Sequence, residues 1–353
     1  MRRVGIRCDA GVGRGVGHLM RCLALAEELR ERRLEVVVLG DMGGLEWAAE
    51  QLARRGLRLL PGPGDAAAMV RAARRLALDA VVVDSYDLDP RCSGALRRAG
   101  VRVLAVVDDD DRGQDADIYL DQNLGAERGP GRAPAGSVRL AGVRYALLRD
   151  DVRRLRRRGP MEPGRPDGVL PPGGGPVESG RPPRVLCFFG GTDAAGAAPV
   201  VVGELIATGV PFLATAVTPR ERALDHLRPA GGQTVRRIPP TDDLPRLIAA
   251  ADLVVTAAGS SMWELLYLGK AAALVWVAAN QRPGYEEVVS RGLAAGLGHL
   301  DAVAGTAGPA RACLRDLLTS ARARAELGAR GPALVDGEGR SRVADALLSL
   351  ISL

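Results

Sequence analysis

The 353-residue sequence lacks any long uncharged apolar segment. A transmembrane helix needs about 18 or more such residues in a row, so the composition predicts no integral membrane segment. Charges at Arg2, Arg3 and Arg7 interrupt the region where a secretory signal would have its apolar stretch. We therefore expect a cytoplasmic protein.

Lysine and aromatic residues are also scarce. Lys270 is the single lysine, only 3% of the residues are aromatic, and the arginines behind the net charge of +6 are spread along the chain. Proteins that bind nucleic acid more usually show a concentrated basic surface with stacking aromatic side chains. The sequence therefore predicts no nucleic-acid partner.

Clustered metal ligands are absent as well. The five cysteines are far apart and lack metal-ligand spacing, so we interpret them as reduced and mostly buried. Four consecutive aspartates, residues 108–111, are a weak metal candidate because successive side chains on extended backbone point in alternating directions. A solvated strand end is the favoured interpretation, and we expect neither a metal nor an organic cofactor.

One segment rich in proline and glycine divides the chain. Residues 159–183 have no apolar periodicity, which is typical of a flexible linker or a disordered loop. The segment predicts an N-terminal domain over residues 1–158 and a C-terminal domain over residues 184–353, in agreement with about 150 residues per domain.

Both halves alternate short β-branched runs with longer amphipathic stretches, the pattern of a parallel sheet covered by helices. The sequence predicts an α/β protein with two Rossmann-like domains that face each other across a cleft. The predicted strands are residues 4–6, 36–39, 81–83, 103–107, 185–189, 212–217, 234–238, 253–256 and 273–277. The predicted helices are residues 19–32, 45–55, 90–99, 197–208, 244–250, 261–268 and 285–291.

A glycine-rich loop, residues 11–17, separates the first strand from the first helix and ends at His18. Its glycines do not fit the G-x-G-x-x-G pattern of dinucleotide-binding loops. They allow a ligand to approach the backbone, with Gly15 and Gly17 as candidate binding residues. A helix N-terminus disfavours imidazolium, so we expect His18 to be a neutral catalytic base rather than a capping or packing residue.

The strand at residues 81–83 ends in polar residues at the same predicted edge. Asp84 and Tyr86 are candidates for orienting His18 or the sugar of a ligand, and loop capping is an equally good interpretation.

The second half has three candidate binding motifs at strand ends. Small residues at the start of a helix offer free N–H groups to a diphosphate, and Glu264 could accept hydrogen bonds from a ribose. A capping box formed by Ser261 and Glu264 is a compatible alternative. The candidate residues are Gly190, Gly191 and Thr192; Gly259, Ser260, Ser261 and Glu264; and Asn280 and Gln281.

Together these motifs resemble the UDP-sugar hydrolases of pseudaminic-acid synthesis, also called the SpsG-like spore-coat polysaccharide family. The resemblance covers about residues 4–298. It rests on Arg7-x-Asp9, on Gly15-x-Gly17-His18-x-x-Arg21, and on residues 83–86, 107–109, 121–123, 145–149, 189–193, 258–264 and 280–281. It implies a GT-B fold like that of the MurG group, His18 as the base, and a UDP-sugar site at the second-half motifs.

The function predicted on this basis is inverting, metal-independent displacement of UDP from a UDP-amino sugar by water. Ser85 stands where members of the family commonly have histidine. Transfer of the sugar to a small-molecule acceptor, in natural-product or polysaccharide biosynthesis, is therefore the main alternative. A catalytically silent nucleotide-sugar binding protein is a third.

Overall fold

A computed structural model describes residues 2–129, 134–157, 180–305 and 308–352. Most of the predicted linker, residues 159–179, lies outside this part of the chain. The chain forms two compact units, one of Met1–Asp150 with Asp336–Leu353 and one of Asp151–Val335. None of the helices in the described ranges is long and apolar enough to cross a membrane.

The first unit is built on a seven-stranded sheet whose strands all pair in parallel. The strand order is β3-β2-β1-β4-β5-β6-β7. The strands are β1 (Arg3–Cys8), β2 (Glu35–Leu39), β3 (Arg58–Leu60), β4 (Ala80–Asp84), β5 (Arg102–Val106), β6 (Ile118–Asp121) and β7 (Val138–Ala141). The helices are α1 (Gly17–Glu31), α2 (Glu46–Arg54), α3 (Ala66–Arg75), α4 (Arg91–Arg98) and the C-terminal helix (Gly339–Ile351).

The C-terminal helix packs in the first unit, whereas the sequence prediction assigned all of residues 184–353 to the second domain. Its apolar face buries Val343, Ala344 and Leu347 in the core of the first unit. The side chain of Arg340 is only 1% exposed and lies 2.6 Å from a carboxylate oxygen of Asp150. Burial of this face accounts for the return of the chain to the first unit.

The second unit contains a six-stranded parallel sheet with the order β10-β9-β8-β11-β12-β13. Its strands are β8 (Arg184–Phe188), β9 (Phe212–Val217), β10 (Gln233–Ile238), β11 (Leu253–Ala257), β12 (Ala272–Trp276) and β13 (Ala295–His299). Its helices are α5 (Asp150–Arg157), α6 (Ala197–Ala207), α7 (Leu244–Ala250), α8 (Ser261–Tyr267), α9 (Arg282–Ser290), α10 (Leu300–Gly305), α11 (Gly308–Thr319) and α12 (Ala321–Ala329).

Both sheets have the strand order of a Rossmann fold, in which the chain first builds outward on one side and then on the other. Ligands bind beyond the carboxyl ends of the strands at the point where this direction reverses. That point lies between β1 and β4 in the first unit and between β8 and β11 in the second. The predicted site residues His18 and Asp84 flank the first position, and Gly190 and Gly259 flank the second.

Candidate functional site

The glycine-rich loop after β1 folds back on itself before α1 begins. Gly11 and Gly15 form two backbone hydrogen bonds, of 3.3 Å and 2.8 Å, and Gly15 has a left-handed backbone with φ of 74°. A Cβ on Gly15 would meet no atom within 4 Å, so the need for glycine here is conformational. Gly17 is the first residue of α1, which places His18 in the first turn.

His18 and Asp84 form a hydrogen-bonded pair in the first unit. The Nδ1 atom of His18 lies 2.7 Å from Oδ1 of Asp84 and 3.3 Å from its backbone oxygen. Because both of these oxygens accept, Nδ1 carries a hydrogen and the lone pair of the neutral ring is on Nε2. The His18 side chain is 20% exposed, whereas that of Asp84 is fully buried.

Arg21 holds Asp84 from the other side. Its Nε lies 2.6 Å from Oδ2 of Asp84, and one terminal nitrogen lies 2.7 Å from Oδ1. Its two terminal nitrogens each lie 3.1 Å from an oxygen of Asp108. One guanidinium therefore joins two carboxylates at the carboxyl ends of neighbouring strands, that of Asp84 at the end of β4 and that of Asp108 after β5. His18 and Arg21 reach Asp84 together because residues three apart share a face of a helix.

Asp108 connects this pair to Tyr86. The hydroxyl of Tyr86 donates to Oδ2 of Asp108, and the side-chain amide of Asn123 donates to Oδ1 at 2.9 Å. The ring of Tyr86 meets the ring of His18 edge to face, with centroids 4.7 Å apart, and the guanidinium of Arg112 lies 4.3 Å from the Tyr86 centroid. Tyr86 is 42% exposed, so its ring contributes to the surface beside His18.

Asp108 corrects the interpretation of the aspartate run as a solvated strand end. Its side chain is only 18% exposed and belongs to the His18 cluster. Asp110 and Asp111 instead accept the backbone N–H groups of Arg112 and Gly113, and so stabilise the following turn. Among the described residues, no three histidine, cysteine or acidic side chains are grouped so as to hold a metal ion.

The pKa of His18 shifts in the direction opposite to that expected from a helix N-terminus. Burial lowers the pKa of His18, but the charge and hydrogen bond of Asp84 outweigh it, so the pKa lies above the ordinary 6.5. Burial raises the pKa of Asp84, but Arg21 and His18 hold it well below 3.8. Burial likewise raises the pKa of Asp108, and Arg21 and Tyr86 lower it to about 2. The charge and hydrogen bond of Asp84, with a smaller contribution from Asp108, therefore outweigh the lowering effects of burial and of the charge of Arg21 on the pKa of His18.

In the second unit, Gly190, Gly191 and Thr192 form the turn after β8. Gly190 is exposed and has a left-handed backbone with φ of 75°. The next residue, Asp193, is buried, and its carboxylate accepts the backbone N–H of Ala197 at 2.8 Å. The carboxylate thus holds the start of α6, which leaves the three turn residues as the exposed or half-buried part of the motif.

Gly259, Ser260 and Ser261 follow the neighbouring strand β11 and lead into α8. The cap of this helix is Ser260, whose side chain makes no capping hydrogen bond. The alternative capping box of Ser261 with Glu264 is therefore out of register by one residue, because Ser261 is already the first helical residue. Glu264 is half-buried in the first turn.

Asn280 and Gln281 lie in a 3-10 turn after β12. Gln281 accepts the backbone N–H of Val277 at 2.9 Å through its side-chain oxygen, so it holds the turn in shape. Asn280 is exposed. All three motifs of the second unit follow β8, β11 and β12, whose carboxyl ends lie at the same edge of the parallel sheet.

Sequence reasoning gave no role to Arg21 and Asn123, and it misjudged Asp108. A signal for Arg21 exists, because this arginine interrupts the otherwise buried apolar residues Leu19, Cys22 and Leu23 of α1. A signal for Asp108 is its position after β5, which corresponds to that of Asp84 at the end of β4.

Comparison with solved structures identifies proteins with the same fold over nearly their whole length. MurG of Acinetobacter baumannii is 15% identical with a TM-score of 0.69, covering 99% of this chain and 100% of that chain. The UDP-GlcNAc 2-epimerase of Neisseria meningitidis bound to UDP-GlcNAc is 11% identical with a TM-score of 0.62, covering 99% and 100%. The glycosyltransferase SnogD of Streptomyces nogalater is 18% identical with a TM-score of 0.59, covering 99% of both.

No protein-family model and no curated protein matches the sequence. The likeness to these solved structures confirms the predicted fold class, an α/β protein with two Rossmann-like parallel-sheet domains of the GT-B type. Its neighbours in fold include glycosyltransferases and UDP-GlcNAc 2-epimerases. Membership of the SpsG-like hydrolases remains a prediction from the motifs.

Proposed function

We propose that this protein displaces UDP from the anomeric carbon of a UDP-amino sugar, with water as the nucleophile and inversion of configuration. The observation that carries the proposal is the His18–Asp84 pair at the reversal point of the first sheet. A partly exposed imidazole held by a fully buried carboxylate is the arrangement of a general base.

The base is His18, acting through Nε2. With Nδ1 bonded to Asp84, Nε2 makes no hydrogen bond to the part of the chain that the structure describes, and it can take the proton of an attacking water. The Asp84 carboxylate stabilises the imidazolium that forms, and it fixes the tautomer. Tyr86, bonded to Asp108 and packed against the His18 ring, is proposed to contact the sugar.

The second unit is proposed to hold UDP. The first N–H groups of a helix have no partner within it, so the backbone N–H groups of Ser260 and Ser261 can receive an anion, as can the open turn at Gly190 to Thr192. The N–H of Gly259 donates to the backbone oxygen of Ala257 at 2.8 Å, so Gly259 is proposed to give the anion close access to the backbone rather than a donor. Such donors also stabilise the charge that grows on UDP as it leaves. Glu264 is proposed to accept from the ribose hydroxyls, and Asn280 and Gln281 to bind sugar hydroxyls.

Inversion follows from the proposed single displacement. Water activated by His18 attacks the face of the sugar opposite UDP, the new C–O bond forms as the bond to UDP breaks, and the proton passes to Nε2. The products are UDP and a free sugar of opposite anomeric configuration.

Transfer to a small-molecule acceptor is the second candidate. It uses the same base and leaving group, and differs only in that an acceptor hydroxyl replaces water. Two observations favour it: SnogD, a glycosyltransferase, matches the whole chain in fold, and Ser85 departs from the pattern of the hydrolase family.

The test is incubation of the purified protein with a panel of UDP-sugars, with and without hydroxyl acceptors. UDP release is measured by a coupled assay, and sugar products are followed by NMR from the first turnovers. UDP and a free sugar of inverted anomeric configuration, formed without an acceptor, would support hydrolysis. UDP release that requires an acceptor would establish transfer. A sugar that changes configuration while still attached to UDP would contradict both.

The matched control is the His18→Gln protein. It retains a polar side chain of similar length, but it cannot take up a proton at this position. UDP release at an equal rate in this variant would show that the activity does not use the proposed base.

A further inference from the structure

Two aspartates, one fully buried and one partly buried, bind the same arginine beside His18. Asp84 at the end of β4 and Asp108 after β5 both bind the guanidinium of Arg21, each through two nitrogen–oxygen contacts. The side chains of Asp84, Asp108 and Arg21 are 0%, 18% and 7% exposed, so water screens these charges poorly.

The cluster of Asp84, Asp108, Arg21 and His18 has a net negative charge while His18 is neutral. Asp84 and Asp108 carry two negative charges, and Arg21 supplies one positive charge. Protonation of His18 would bring this cluster of four side chains to neutrality. Arg21 and Asp108 therefore act on His18 in opposite directions, since the charge of Arg21 lowers the pKa of His18 and that of Asp108 raises it.

The contacts of Arg21 also orient the carboxylate of Asp84 toward His18. Arg21 binds Oδ2 at 2.6 Å and reaches Oδ1 at 2.7 Å, which fixes the plane of the carboxylate and keeps Oδ1 within 2.7 Å of Nδ1 of His18. Asp108 holds the far side of the guanidinium at 3.1 Å. Without Asp108, the edge of the buried guanidinium that carries its two terminal nitrogens would lose this carboxylate partner.

We propose that Arg21 and Asp108 are positioning residues, which hold Asp84 against His18 and set the net charge around the imidazole. The proposal rests on the proposed function, in which His18 is the base. Neither residue acts on substrate in this role; both act through Asp84 and His18.

Other charged and titratable groups adjoin this cluster and define its surroundings. The thiol of Cys22 lies 3.5 Å from Oδ2 of Asp84, and Asn123 links Asp108 to Asp121 through contacts of 2.9 Å to each. Tyr86 bonds Asp108, and Arg112 lies over the Tyr86 ring. Beyond them, the exposed pair of Arg14 and Asp87 joins the glycine-rich loop to the segment after β4.

The test is the titration of His18 itself, followed by NMR of the imidazole carbon-bound protons between pH 5 and 9. The chain has three histidines, so comparison with the His18→Gln protein assigns the His18 signal. The nearly isosteric Asp108→Asn substitution removes one charge from the cluster, and we expect the midpoint of His18 to move to lower pH. Arg21→Gln removes the positive charge, and the midpoint should move to higher pH while Asp84 stays bonded to Nδ1 of His18. A midpoint that moves to lower pH would show that Asp84 is no longer held against His18, and would also support the positioning role.

Asp110→Asn is the matched control. It removes the same charge two residues from Asp108, but Asp110 is exposed and its side chain accepts a backbone N–H of the turn. We expect it to leave the midpoint of His18 unchanged. An unchanged midpoint in Asp108→Asn, or an equal displacement in Asp110→Asn, would overturn the proposal. If Arg21→Gln fails to fold, the comparison of Asp108→Asn with Asp110→Asn still decides it.

A kinetic measurement separates this proposal from the proposed function. In an active enzyme, the acid limb of the kcat/KM profile, which reports the free enzyme, should move with the NMR midpoint in each variant, which a purely structural role would not produce. Opposite displacements of the His18 midpoint in a protein that releases no UDP would support the positioning role and contradict the proposed function. If the protein releases UDP but the midpoint of the acid limb is the same in every variant, the positioning role is contradicted and the proposed function is not.

Discussion

The imidazole of His18 and the carboxylate of Asp84 meet at 2.7 Å although 66 positions separate the two residues in the sequence. His18 lies in the first turn of α1, directly after the loop that follows β1, and Asp84 is the last residue of β4. Because β1 and β4 are neighbours in the sheet, their carboxyl ends bring the two side chains together. The same pairing fixes the tautomer that a general base at this position needs.

Replacement of His18 tests the proposed base directly. We expect His18→Gln to lower turnover by about 10²–10⁴, the usual contribution of a positioned general base. The affinity for UDP should change much less, because UDP is proposed to bind to the second unit. Steady-state kinetics and calorimetric titration with UDP measure the two effects. Near-native turnover with reduced substrate affinity would assign His18 to sugar binding and make Asp84 the next candidate base.

The pH dependence of the rate follows from the raised pKa of His18. A base is active only when deprotonated, so activity should rise with pH through the pKa of His18, and the raised pKa places this acid limb above pH 6.5. A profile of kcat/KM against pH gives the midpoint for the free enzyme. The limb should disappear in His18→Gln. A midpoint below 6.5 would show that Asp84 does not act on His18 as its position indicates.

Glu264 tests the proposed ribose contact. Glu264→Ala should weaken UDP binding by about 1–3 kcal/mol, because charge-assisted hydrogen bonds to the ribose would be lost. Glu286→Ala is the control, since Glu286 is an exposed acidic residue of the same unit paired with Arg282. Calorimetric titration of both folded variants measures the difference. Equal affinities in Glu264→Ala and the unsubstituted protein would exclude the ribose role.

Metal dependence tests how the diphosphate is bound. We expect UDP to bind equally well before and after treatment with EDTA. The proposed donors to the diphosphate are backbone N–H groups at the start of α8 and in the turn after β8, together with side-chain hydroxyls, and none of them needs a metal ion. Calorimetric titration with UDP, repeated after addition of magnesium or manganese, provides the measurement. Loss of binding in EDTA that magnesium or manganese restores would refute metal-independent binding.

Arg340 tests the packing of the C-terminal helix. Its guanidinium binds Asp150 and lies 3.3 Å from carboxylate oxygens of Glu27 and Glu31, all within the first unit. Arg340→Met should lower the free energy of unfolding by about 3–5 kcal/mol, since it leaves partly buried carboxylates without their cation.

Urea denaturation of Arg340→Met and Arg342→Met makes the comparison. Arg342 lies on the same helix and pairs with Asp336, but both partners are substantially more exposed than Arg340. Its loss should cost about 1 kcal/mol or less. Equal effects of the two substitutions would contradict the anchoring role of Arg340.

Much of the architecture was predictable from local sequence. The apolar runs that become β1, β4, β8 and β11 are short and bounded by glycine or polar residues, and they are buried in the structure as expected. Four strands of the described residues were not predicted, namely β3, β6, β7 and β13. The edge strand β3 has only three residues and is mainly exposed, so it lacks the apolar run by which the predicted strands were recognised.

The candidate residues at strand ends were also predictable, because parallel strands direct their carboxyl ends to one edge of a sheet. His18, Asp84 and Tyr86 meet for this reason. The role of the C-terminal helix was not predictable in this way, since its apolar face shows that it packs against something but does not specify which unit it covers.

The sequence by itself determined the alternation of strands and helices, and the polar residues that follow each strand. Only the tertiary structure decided how those residues act on one another. The sequence pattern places His18 at a helix N-terminus, which favours a neutral ring, yet the carboxylates of Asp84 at the end of β4 and of Asp108 after β5 raise its pKa. Local backbone preferences and apolar periodicity act over a few residues and are visible in the sequence, whereas the electrostatic environment of a buried side chain is the sum of charges that folding brings from distant segments.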